Sequence, residues 1–306
     1  MSIAASWTQN KALLAVLLLA GVAFAAEKKL ILHADDFGMS HSVNLATMEL
    51  FDKGKIASAS IMMPCPWVPE VVAWAKKHPK ADLGLHLTLT SEWKTLRWGP
   101  VAPRDKVPGL LDPDGYLWRD VPEVATHATP AEVEIELRAQ IEKAKQMGLR
   151  FTHLDTHMGT LYARPDYFEV YRKLGAEYNV PIMLPKLRDG MENEAPAATI
   201  EYLKAQQPEF ATAKIFQLDR LITDGAPGQR SLDGRRKAYM ETLRSLTPGV
   251  TMMIIHPGLL DSELKAATGR AADRDADYRI FLEEETQRLM KELDIELVGF
   301  QDVAQP

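Results

Sequence analysis

Two neighbouring carboxylates end an apolar run close to the start of the chain. Residues 30–38 read Leu-Ile-Leu-His-Ala-Asp-Asp-Phe-Gly. Adjacent residues of a strand point to opposite faces, but at the end of a buried strand both Asp35 and Asp36 can turn into one cleft. Such a pair repels itself unless a cation or a shared proton lies between the carboxylates. The stretch therefore indicates a metal or acid–base site, and the alternative is a solvated loop of Asp-Asp-x-Gly type.

Histidines follow two further apolar segments. In residues 82–90 four leucines alternate with other residues, so they share one face and His86 lies on the opposite one. If the leucines contact helices, His86 points into the interior, where it is either a ligand or a hydrogen-bonded core residue. Residues 251–258 end in His256, Pro and Gly, which again places a His at the end of a strand.

A third segment, residues 151–157, places His153, Asp155 and His157 on one face of a strand. Buried His and Asp need partners, so this pattern indicates either a site or a structural hydrogen-bonded stack. His157 is the best candidate because it lies at the carboxyl end of the segment. One Asp and two His, completed by water, form a common site for a hydrolytic divalent metal, which leaves a carboxylate and a His as base and acid.

The elements that position these residues alternate between strand and helix. This order predicts an α/β fold, an irregular (β/α) barrel of about seven to eight parallel strands, with an open doubly wound sheet as the alternative. No G-x-G-x-x-G follows the first strand, which argues against a nucleotide cofactor. The predicted strands are 29–34, 56–63, 82–89, 150–157, 180–185, 214–219, 251–256 and 295–300. The predicted helices are 42–53, 67–77, 130–147, 165–178, 198–206, 231–246 and 275–293.

An irregular segment at about 91–129 interrupts the alternation. It carries Trp93, Trp98, Trp118 and five prolines. We expect an ordered inserted loop, because long loops in compact domains are functional or disordered and tryptophans argue against disorder. Exposed tryptophans would stack on sugar rings, and the alternative is that they pin the loop to the barrel. Residues 186–197 and 221–230 are expected to rim the cleft as well.

The amino-terminal 25 residues have the pattern of a secretory signal peptide. Lys11 precedes the apolar run 12–20, and 23–25 supply a small–x–small cleavage pattern. The apolar stretch is about 15 residues, shorter than the ~20 that a membrane-spanning helix needs. We therefore expect 1–25 to be removed, 27–306 to form a single domain, and the protein to be exported to the periplasm or the exterior. The single cysteine, Cys65, leaves no intrachain disulfide.

The composition argues against a nucleic-acid partner. The 306 residues carry a formal net charge of −6, and no basic run or basic patch with interleaved aromatics is present. We also expect no stable insertion in a membrane once the signal peptide is cleaved, and a homodimer is left open.

The motifs, taken together and in order, resemble those of the YdjC-like carbohydrate deacetylases, the family of chitooligosaccharide deacetylase and the hopanoid-associated deacetylase. The matching segments are 33–40, 55–62, 84–90, 152–157 and 256–258. The resemblance implies an irregular β/α barrel, one divalent metal ion and an N-acetylated sugar as the substrate, from which the N-acetyl group is hydrolysed. It also implies roles, with the metal ligands at Asp36, His86 and His157, the catalytic base at Asp35, and the acid at His256.

Two features depart from the family pattern, namely the third motif and the amino-terminal signal pattern. The family usually continues the third motif as D-x-H-x-H-x-H, but this chain has Gly159 and Leu161 in place of the last two histidines.

Two imidazoles favour Zn²⁺ or a similar transition metal, whereas the family also allows Mg²⁺. Nearby carboxylates are expected to favour the charged form of His256. The alternatives are a secreted saccharide-binding protein with little turnover and a metal-independent glycosidase, which needs two carboxylates flanking a bond.

Overall fold

The structure is a computed structural model that describes residues 27–188, 195–213 and 215–304. The predicted signal peptide lies outside these ranges, as do residues 189–194 of the predicted rim segment. Across the described ranges, we find no helix with the length and apolar character required to cross a membrane.

One sheet of seven parallel strands organises the described part of the chain. The strand order is β4-β3-β2-β1-β6-β5, and β7 pairs with the amino-terminal end of β1. The strands are β1 Lys28–Phe37, β2 Ser58–Ile61, β3 Asp82–Leu87, β4 Leu154–Thr156, β5 Arg220–Ile222, β6 Gly249–Ile255 and β7 Ile295–Leu297. The carboxyl ends of the first six strands therefore meet at one edge, which is where ligands bind in such sheets.

The two edges of this sheet are linked through the chain after β4. Leu154 N donates to Pro181 O at 3.0 Å, and Met183 N donates to Leu154 O at 2.8 Å. Further along, Lys186 N donates to Leu218 O at 2.8 Å, just before β5. These bonds continue the ladder from β4 to β5, so the sheet curves round as an irregular barrel. The predicted irregular (β/α) barrel of about seven to eight parallel strands is thereby confirmed, with seven strands in the described sheet.

The predicted strands 56–63, 82–89, 150–157 and 295–300 are shorter in the structure than predicted, and those at 180–185 and 214–219 differ most. Residues 180–185 make only isolated bridges at Ile182 and Pro185. The physical reason is that Pro181 and Pro185 have no N–H to donate to a ladder. The strand predicted at 214–219 begins later, as β5. Leu218 N still donates to Leu184 O, and pairing with β6 starts only at Asp219, whose N donates to Val250 O.

Helices cover the outer face of the sheet. Their bounds are α1 His41–Asp52, α2 Val68–Ala75, α3 Val121–His127, α4 Pro130–Gln146, α5 Pro165–Tyr178, α6 Ala197–Thr212, α7 Leu232–Arg244, α8 Ser262–Ala267, α9 Ala271–Leu282, α10 Glu284–Glu292 and α11 Phe300–Val303. Ser40 caps α1 by accepting from Val43 N, and Thr129 forms a capping box with Glu132 at α4.

The predicted helix 275–293 is in fact two helices. Glu283 has extended backbone angles (φ −63°, ψ 134°) and separates α9 from α10. The Thr286 hydroxyl donates to Ile280 O at 2.6 Å, and Gln287 Nε2 donates to Phe281 O at 3.0 Å. These side chains satisfy two of the carbonyls at the end of α9, which otherwise lack a partner within the helix.

An apolar floor closes the barrel interior beneath the polar residues. Ile31, Met252, Leu218 and Phe300 belong to one buried cluster at the amino-terminal half of the strands. Residues 31, 33 and 35 of β1 share a face, so the interior changes from apolar to polar along this one strand. The leucines of β3 face the helices and are buried there, as predicted.

The inserted segment 91–129 is ordered and contains α3 and two short 3-10 helices, Arg104–Lys106 and Pro108–Leu110. Trp93 and Trp98 are buried, and the indole of Trp98 donates to Thr90 O at 2.8 Å. Trp118 is partly buried and donates to Gly109 O at 2.8 Å. These three tryptophans therefore anchor the loop, as in the packing alternative.

Candidate functional site

A bulge at the end of β1 brings both adjacent carboxylates into the barrel. The pairing of β1 with β2 shifts register between Ala34 and Phe37, and Asp36 has a left-handed φ of +67°. Asp tolerates this conformation better than most residues. As a result His86 Nε2 lies 3.6 Å from Asp35 Oδ2 and 3.6 Å from Asp36 Oδ1. The two carboxylates therefore enter one site, as expected from the sequence.

The three predicted metal ligands come together at this point. Asp36 Oδ1 is 3.4 Å from His157 Nδ1, and His157 Nδ1 is 3.1 Å from His86 Nε2. Ligands about 2.0–2.1 Å from a tetrahedral Zn²⁺ are about 3.3 Å apart. Asp36 Oδ1 is buried and has no hydrogen-bond partner among the described residues. The donor atoms of Asp36, His86 and His157 thus fit one divalent cation.

Each candidate imidazole is oriented by a second carboxylate. His86 Nδ1 lies 2.7 Å from Asp155 Oδ1, and His157 Nε2 lies 3.0 Å from Glu92 Oε2. Since an ionised carboxylate can only accept, these nitrogens carry the protons and the opposite nitrogens face Asp36. Carboxylate partners of this kind fix the tautomer and orientation of metal-binding histidines. Glu92 was not found from the sequence, although its place shortly after the third strand was a usable signal.

The electrostatics show that this cluster has an excess of negative charge. Burial raises the pKa of Asp36, but the Arg274 guanidinium and His157 outweigh it and hold that pKa well below its usual value. Burial lowers the pKa of His157, but Glu92 and Asp36 raise it to about 10. Burial also lowers the pKa of His86, yet Asp35 and Asp155 raise it above its usual value. Protons on the two imidazoles thus balance the negative charge of the carboxylates, a role that a bound cation would take over.

Two other groups of side chains are close enough to hold a metal, and both include Asp155. One adds His33 and His153, and the other adds Asp35 and His86. Asp155 Oδ1 is engaged by His86 at 2.7 Å, and its Oδ2 lies 3.0 Å from His33 Nε2. Asp155 Oδ2 and Asp36 Oδ1 are both buried without a hydrogen-bond partner among the described residues. We favour the Asp36 group because Asp155 Oδ1 already accepts from His86 Nδ1, which leaves His86 Nε2 facing Asp36.

The predicted base and acid lie beside the candidate ligands. Asp35 Oδ2 is 3.8 Å from His256 Nε2. Burial, opposed by His86 and reinforced by Asp155, raises the pKa of Asp35 to about 6, which suits a general base near neutral pH. The expectation that His256 is charged was wrong. Burial lowers its pKa, Arg274 and the site histidines lower it further, and the attraction of Asp36 does not outweigh them.

His33 connects the base to the rest of the site and had no role assigned from the sequence. Its Nε2 is 3.4 Å from Asp35 Oδ1 and 3.0 Å from Asp155 Oδ2. Its Nδ1 lies 2.9 Å from Ser58 Oγ, and Ser60 Oγ lies 3.0 Å from its Nε2. The two serines are two residues apart on β2 and face the interior together, so their spacing carried a signal for this contact.

His153 does not take part in the site cluster around Asp36. Its ring stacks on Phe300 with centroids 3.9 Å apart, and its Nδ1 lies 2.9 Å from Thr152 Oγ1. Burial lowers its pKa to about 4, so the ring is neutral. A Cβ at Gly84 would overlap His153 Nε2, which explains a glycine on the interior face of β3. The predicted His-Asp-His face is thus divided, with His153 serving the packing of the floor.

The two positions that depart from the family motif have different surroundings. Gly159 has φ +66°, and a Cβ there would have no heavy atom within 4 Å. Leu161 is fully buried in the main apolar core. Between β4 and α5, Met158 has φ +53° and is 47% exposed. Position 159 therefore borders open space, whereas position 161 faces the core.

Arg274 of α9 is a further residue that was not found from the sequence. Its Nη2 lies 2.5 Å from Asp36 Oδ2, and its guanidinium sits over the ring of Trp93 at 5.0 Å from the centroid. Arg274 thereby holds Asp36 with one oxygen directed at the two imidazoles. No local pattern marks this residue, because α9 follows β6 by more than a dozen residues and reaches Asp36 only in the folded chain.

Comparisons with known proteins cover most of the chain. A carbohydrate deacetylase of Thermus thermophilus is 31% identical over 276 residues, which cover 90% of this chain and 94% of that protein. A carbohydrate deacetylase of Brevibacillus brevis is 29% identical over 277 residues, covering 90% of this chain and 99% of that protein. A solved structure from Enterococcus faecalis V583, named for cellobiose-phosphate cleavage, superposes with a TM-score of 0.75 at 25% identity, covering 92% of this chain and 100% of that one.

The family assignment rests on most of the chain. The family model described as YdjC-like protein matches residues 29–292, a range that runs from β1 to the end of α10 and includes all five predicted site residues. The chain belongs to the YdjC-like family.

Proposed function

We propose that this protein is a metal-dependent carbohydrate deacetylase that hydrolyses the N-acetyl group of an amino sugar or oligosaccharide. The observation that carries the proposal is the placement of Asp35 and His256 beside the group formed by Asp36, His86 and His157. The similar proteins of Thermus thermophilus and Brevibacillus brevis are named carbohydrate deacetylases, which supports the reaction class.

Asp36, His86 and His157 would hold one divalent metal ion, Zn²⁺ or a similar transition metal by ligand type, with Mg²⁺ as the alternative. Such an ion polarises an amide carbonyl and lowers the pKa of water. Arg274 and Glu92 hold Asp36 and His157 in place for this role.

The proton transfers are assigned to Asp35 and His256. Asp35 is ionised above about pH 6 and takes the proton of the attacking water. His256 is neutral at the start, because its pKa lies below the usual value. It therefore acts as an acid towards the leaving amine only after it has received a proton during the reaction, and Asp35 is 3.8 Å away.

Acetate release tests the proposal. The chain without residues 1–25 is offered a panel of N-acetylated sugars of increasing length, and acetate and metal content are measured on the same sample. We expect acetate release that is lost with a chelator and restored by a divalent metal. Sugar binding without acetate release by the metal-loaded protein would favour a saccharide-binding protein, and chelator-resistant release of shortened sugars would favour a glycosidase.

We also infer that the protein is exported after cleavage near Ala25. The support is the charged residue, apolar run and small–x–small pattern of residues 1–25. Amino-terminal sequencing of the mature protein and fractionation of the producing cells test this inference. A mature protein that retains Lys11 would contradict it.

A further inference from the structure

The side chain of Gln140 takes the place of a neighbouring strand where β3 ends. The ladder between β3 and β4 stops at Leu87, which lies opposite Thr156. Just beyond it, Thr88 N donates to Gln140 Oε1 at 3.0 Å, and Gln140 Nε2 donates to Thr88 O at 2.6 Å. The N–H and C=O of one strand residue point to the same side, so one amide side chain of α4 pairs with both, as an antiparallel strand would. The chain that leaves β3 is therefore fixed to α4 at Thr88.

Glu136 lies one turn before Gln140 and holds the inserted segment further along. Its Oε1 accepts from Val101 N at 2.9 Å, and its Oε2 accepts from Ala102 N at 2.8 Å. Gln140 Nε2 also donates to Glu136 Oε1, at 2.8 Å, which joins the two side chains in one network. Both are fully buried, and a buried carboxylate is unfavourable unless its oxygens accept hydrogen bonds. Glu136 and Gln140, which we call the α4 clamp, thus hold both ends of residues 88–102.

The segment held by the α4 clamp carries two side chains that lie next to His157. Glu92 Oε2 is 3.0 Å from His157 Nε2, and the Trp98 ring meets that of His157 edge-on with centroids 6.4 Å apart. Trp98 Nε1 donates to Thr90 O at 2.8 Å, and Trp98 N donates to Ser91 Oγ at 3.0 Å. The residues just before Glu92 are therefore tied to the part of the segment that the α4 clamp holds.

Regular secondary structure does not set the position of Glu92. Residues 88–93 are neither helix nor strand, and fixing such a segment costs conformational entropy. The orientation of Glu92 therefore depends on the contacts that hold its segment. Among the described residues, the side-chain hydrogen bonds of Glu136 and Gln140 go to that segment and to each other. Neither side chain bonds to a candidate ligand, so any effect on the site must pass through the segment.

We propose that Glu136 and Gln140 are positioning residues for the candidate metal site. They hold the segment that carries Glu92, and Glu92 fixes His157 with its Nδ1 directed at Asp36. The inference rests on the proposed metal-dependent function and adds to it a requirement for two side chains of α4 that bind neither the metal nor the substrate.

A double-mutant cycle with Glu92 tests this positioning role. Metal affinity is measured by competition with a chromogenic chelator for wild type, Gln140→Leu, Glu92→Gln and the double variant. Gln140→Leu should lower metal affinity by about tenfold, the lower end of the effect of removing a group that supports a metal ligand. In the Glu92→Gln background the same change should cost less than about twofold, because the contact through which Gln140 acts is already lost. Equal effects of Gln140→Leu in both backgrounds would overturn the proposal.

A second clamp variant keeps the test decisive if Gln140→Leu does not fold, which urea unfolding of each variant shows. Glu136→Gln replaces one acceptor oxygen by an NH2 group that faces N–H donors. It should also lower metal affinity, and again only when Glu92 is present. Gln146→Leu, at an exposed glutamine at the end of α4, is the matched control and should keep the wild-type affinity. Wild-type affinity in a folded clamp variant would contradict the positioning role.

A further measurement needs no metal. The proton on His157 Nε2 is protected from exchange with water by its hydrogen bond to Glu92, and nitrogen-edited NMR of the metal-free protein detects it. Gln140→Leu and Glu136→Gln should speed the exchange of this proton or remove its signal, as Glu92→Gln does, whereas Gln146→Leu should not. A proton that exchanges at the wild-type rate in both clamp variants would sink the proposal.

The two proposals fail in different ways. If the wild-type protein binds metal but releases no acetate, the deacetylase function is contradicted, and a non-additive cycle retains the α4 clamp. If the wild-type protein releases acetate while Gln140→Leu costs the same in both backgrounds, the α4 clamp is overturned and the function is retained. If the wild-type protein binds no metal, the metal-dependent function is contradicted, and exchange of the His157 proton decides whether the α4 clamp is retained.

Discussion

His157 is held between two carboxylates, with Nε2 3.0 Å from Glu92 Oε2 and Nδ1 3.4 Å from Asp36 Oδ1. The ring is buried, whereas the Glu92 side chain is 25% exposed. Nε2 is thus fixed as the donor to Glu92, and Nδ1 is left to bind a metal ion together with Asp36 and His86. The metal affinity of the site should therefore depend on the carboxylate behind each imidazole.

Glu92→Gln should weaken metal binding without unfolding the protein. Loss of a carboxylate that orients a metal-binding histidine typically costs about 10–100-fold in metal affinity or activity. Metal affinity is measured by competition with a chromogenic chelator. Glu285→Gln, at an exposed position of α10, is the matched control. Equal metal affinities in the two variants would show that Glu92 does not support His157.

Asp35→Asn should abolish turnover and leave metal binding largely intact. The amide keeps the size of the carboxylate but accepts no proton, and Asp35 lies outside the group of Asp36, His86 and His157. Losing a general base typically costs about 10²–10⁴-fold in rate. The measurement is kcat for acetate release, together with bound metal per chain. Near-normal turnover by this variant would remove Asp35 from its assigned role.

The rate should fall on the acidic side as Asp35 is protonated. Burial raises the pKa of Asp35 to about 6, and a nearby cation lowers it towards the ordinary value of about 3.9. The base is active only when ionised, so kcat/KM should rise with pH through a limb between about 4 and 6. The profile is recorded with constant metal occupancy. A limb centred above about pH 7 would assign the base to another group.

Gly84→Ala should destabilise the protein by about 1–3 kcal/mol, since overpacking of a core forces shifts. The new Cβ would overlap His153 Nε2, which is held against Phe300. Gly269→Ala is the control, because nothing lies within 4 Å of a Cβ there. Stability is measured by urea unfolding. The double variant Gly84→Ala/His153→Ala should lose less than the sum of the single changes, and strict additivity would argue against this contact.

Glu136→Gln should remove a pH dependence of stability. Glu136 accepts from Val101 N and Ala102 N, and burial, only partly opposed by these bonds, raises its pKa to about 7. The folded protein therefore binds more protons than the unfolded chain between about pH 4.5 and 7, so the free energy of unfolding falls as pH rises through this window.

The measurement for Glu136 is the difference between wild type and Glu136→Gln. Urea unfolding at several pH values should give a wild-type free energy of unfolding that declines relative to the variant from about pH 4.5 to 7. The control is Glu142→Gln on the same helix, because Tyr178 and Lys145 lower the pKa of Glu142 and keep it ionised in this window. A constant difference between wild type and Glu136→Gln across the window would contradict the raised pKa of Glu136.

Much of the site was predictable because its residues stand at the ends of strands. Asp35, Asp36 and His256 follow apolar runs, whereas His86 and His157 lie in segments of alternating pattern. Parallel strands bring the carboxyl ends of these segments to one edge. The alternation of strand and helix likewise predicted the barrel. The extents of the strands were less predictable, because Pro181 and Pro185 interrupt the ladder of hydrogen bonds although the residues around them are apolar.

The amino-acid sequence by itself determined which side chains gather in the barrel, since period-two patterns and helix caps are local properties of the chain. Only the tertiary structure decided how these side chains are oriented and which role each one has. The left-handed backbone of Asp36 directs two adjacent carboxylates into one site. Glu92 contacts His157 across 65 residues of sequence, and Arg274 contacts Asp36 across 238, and both hold candidate ligands in place. Such contacts depend on packing between elements, because distances between residues remote in sequence exist only in the folded chain.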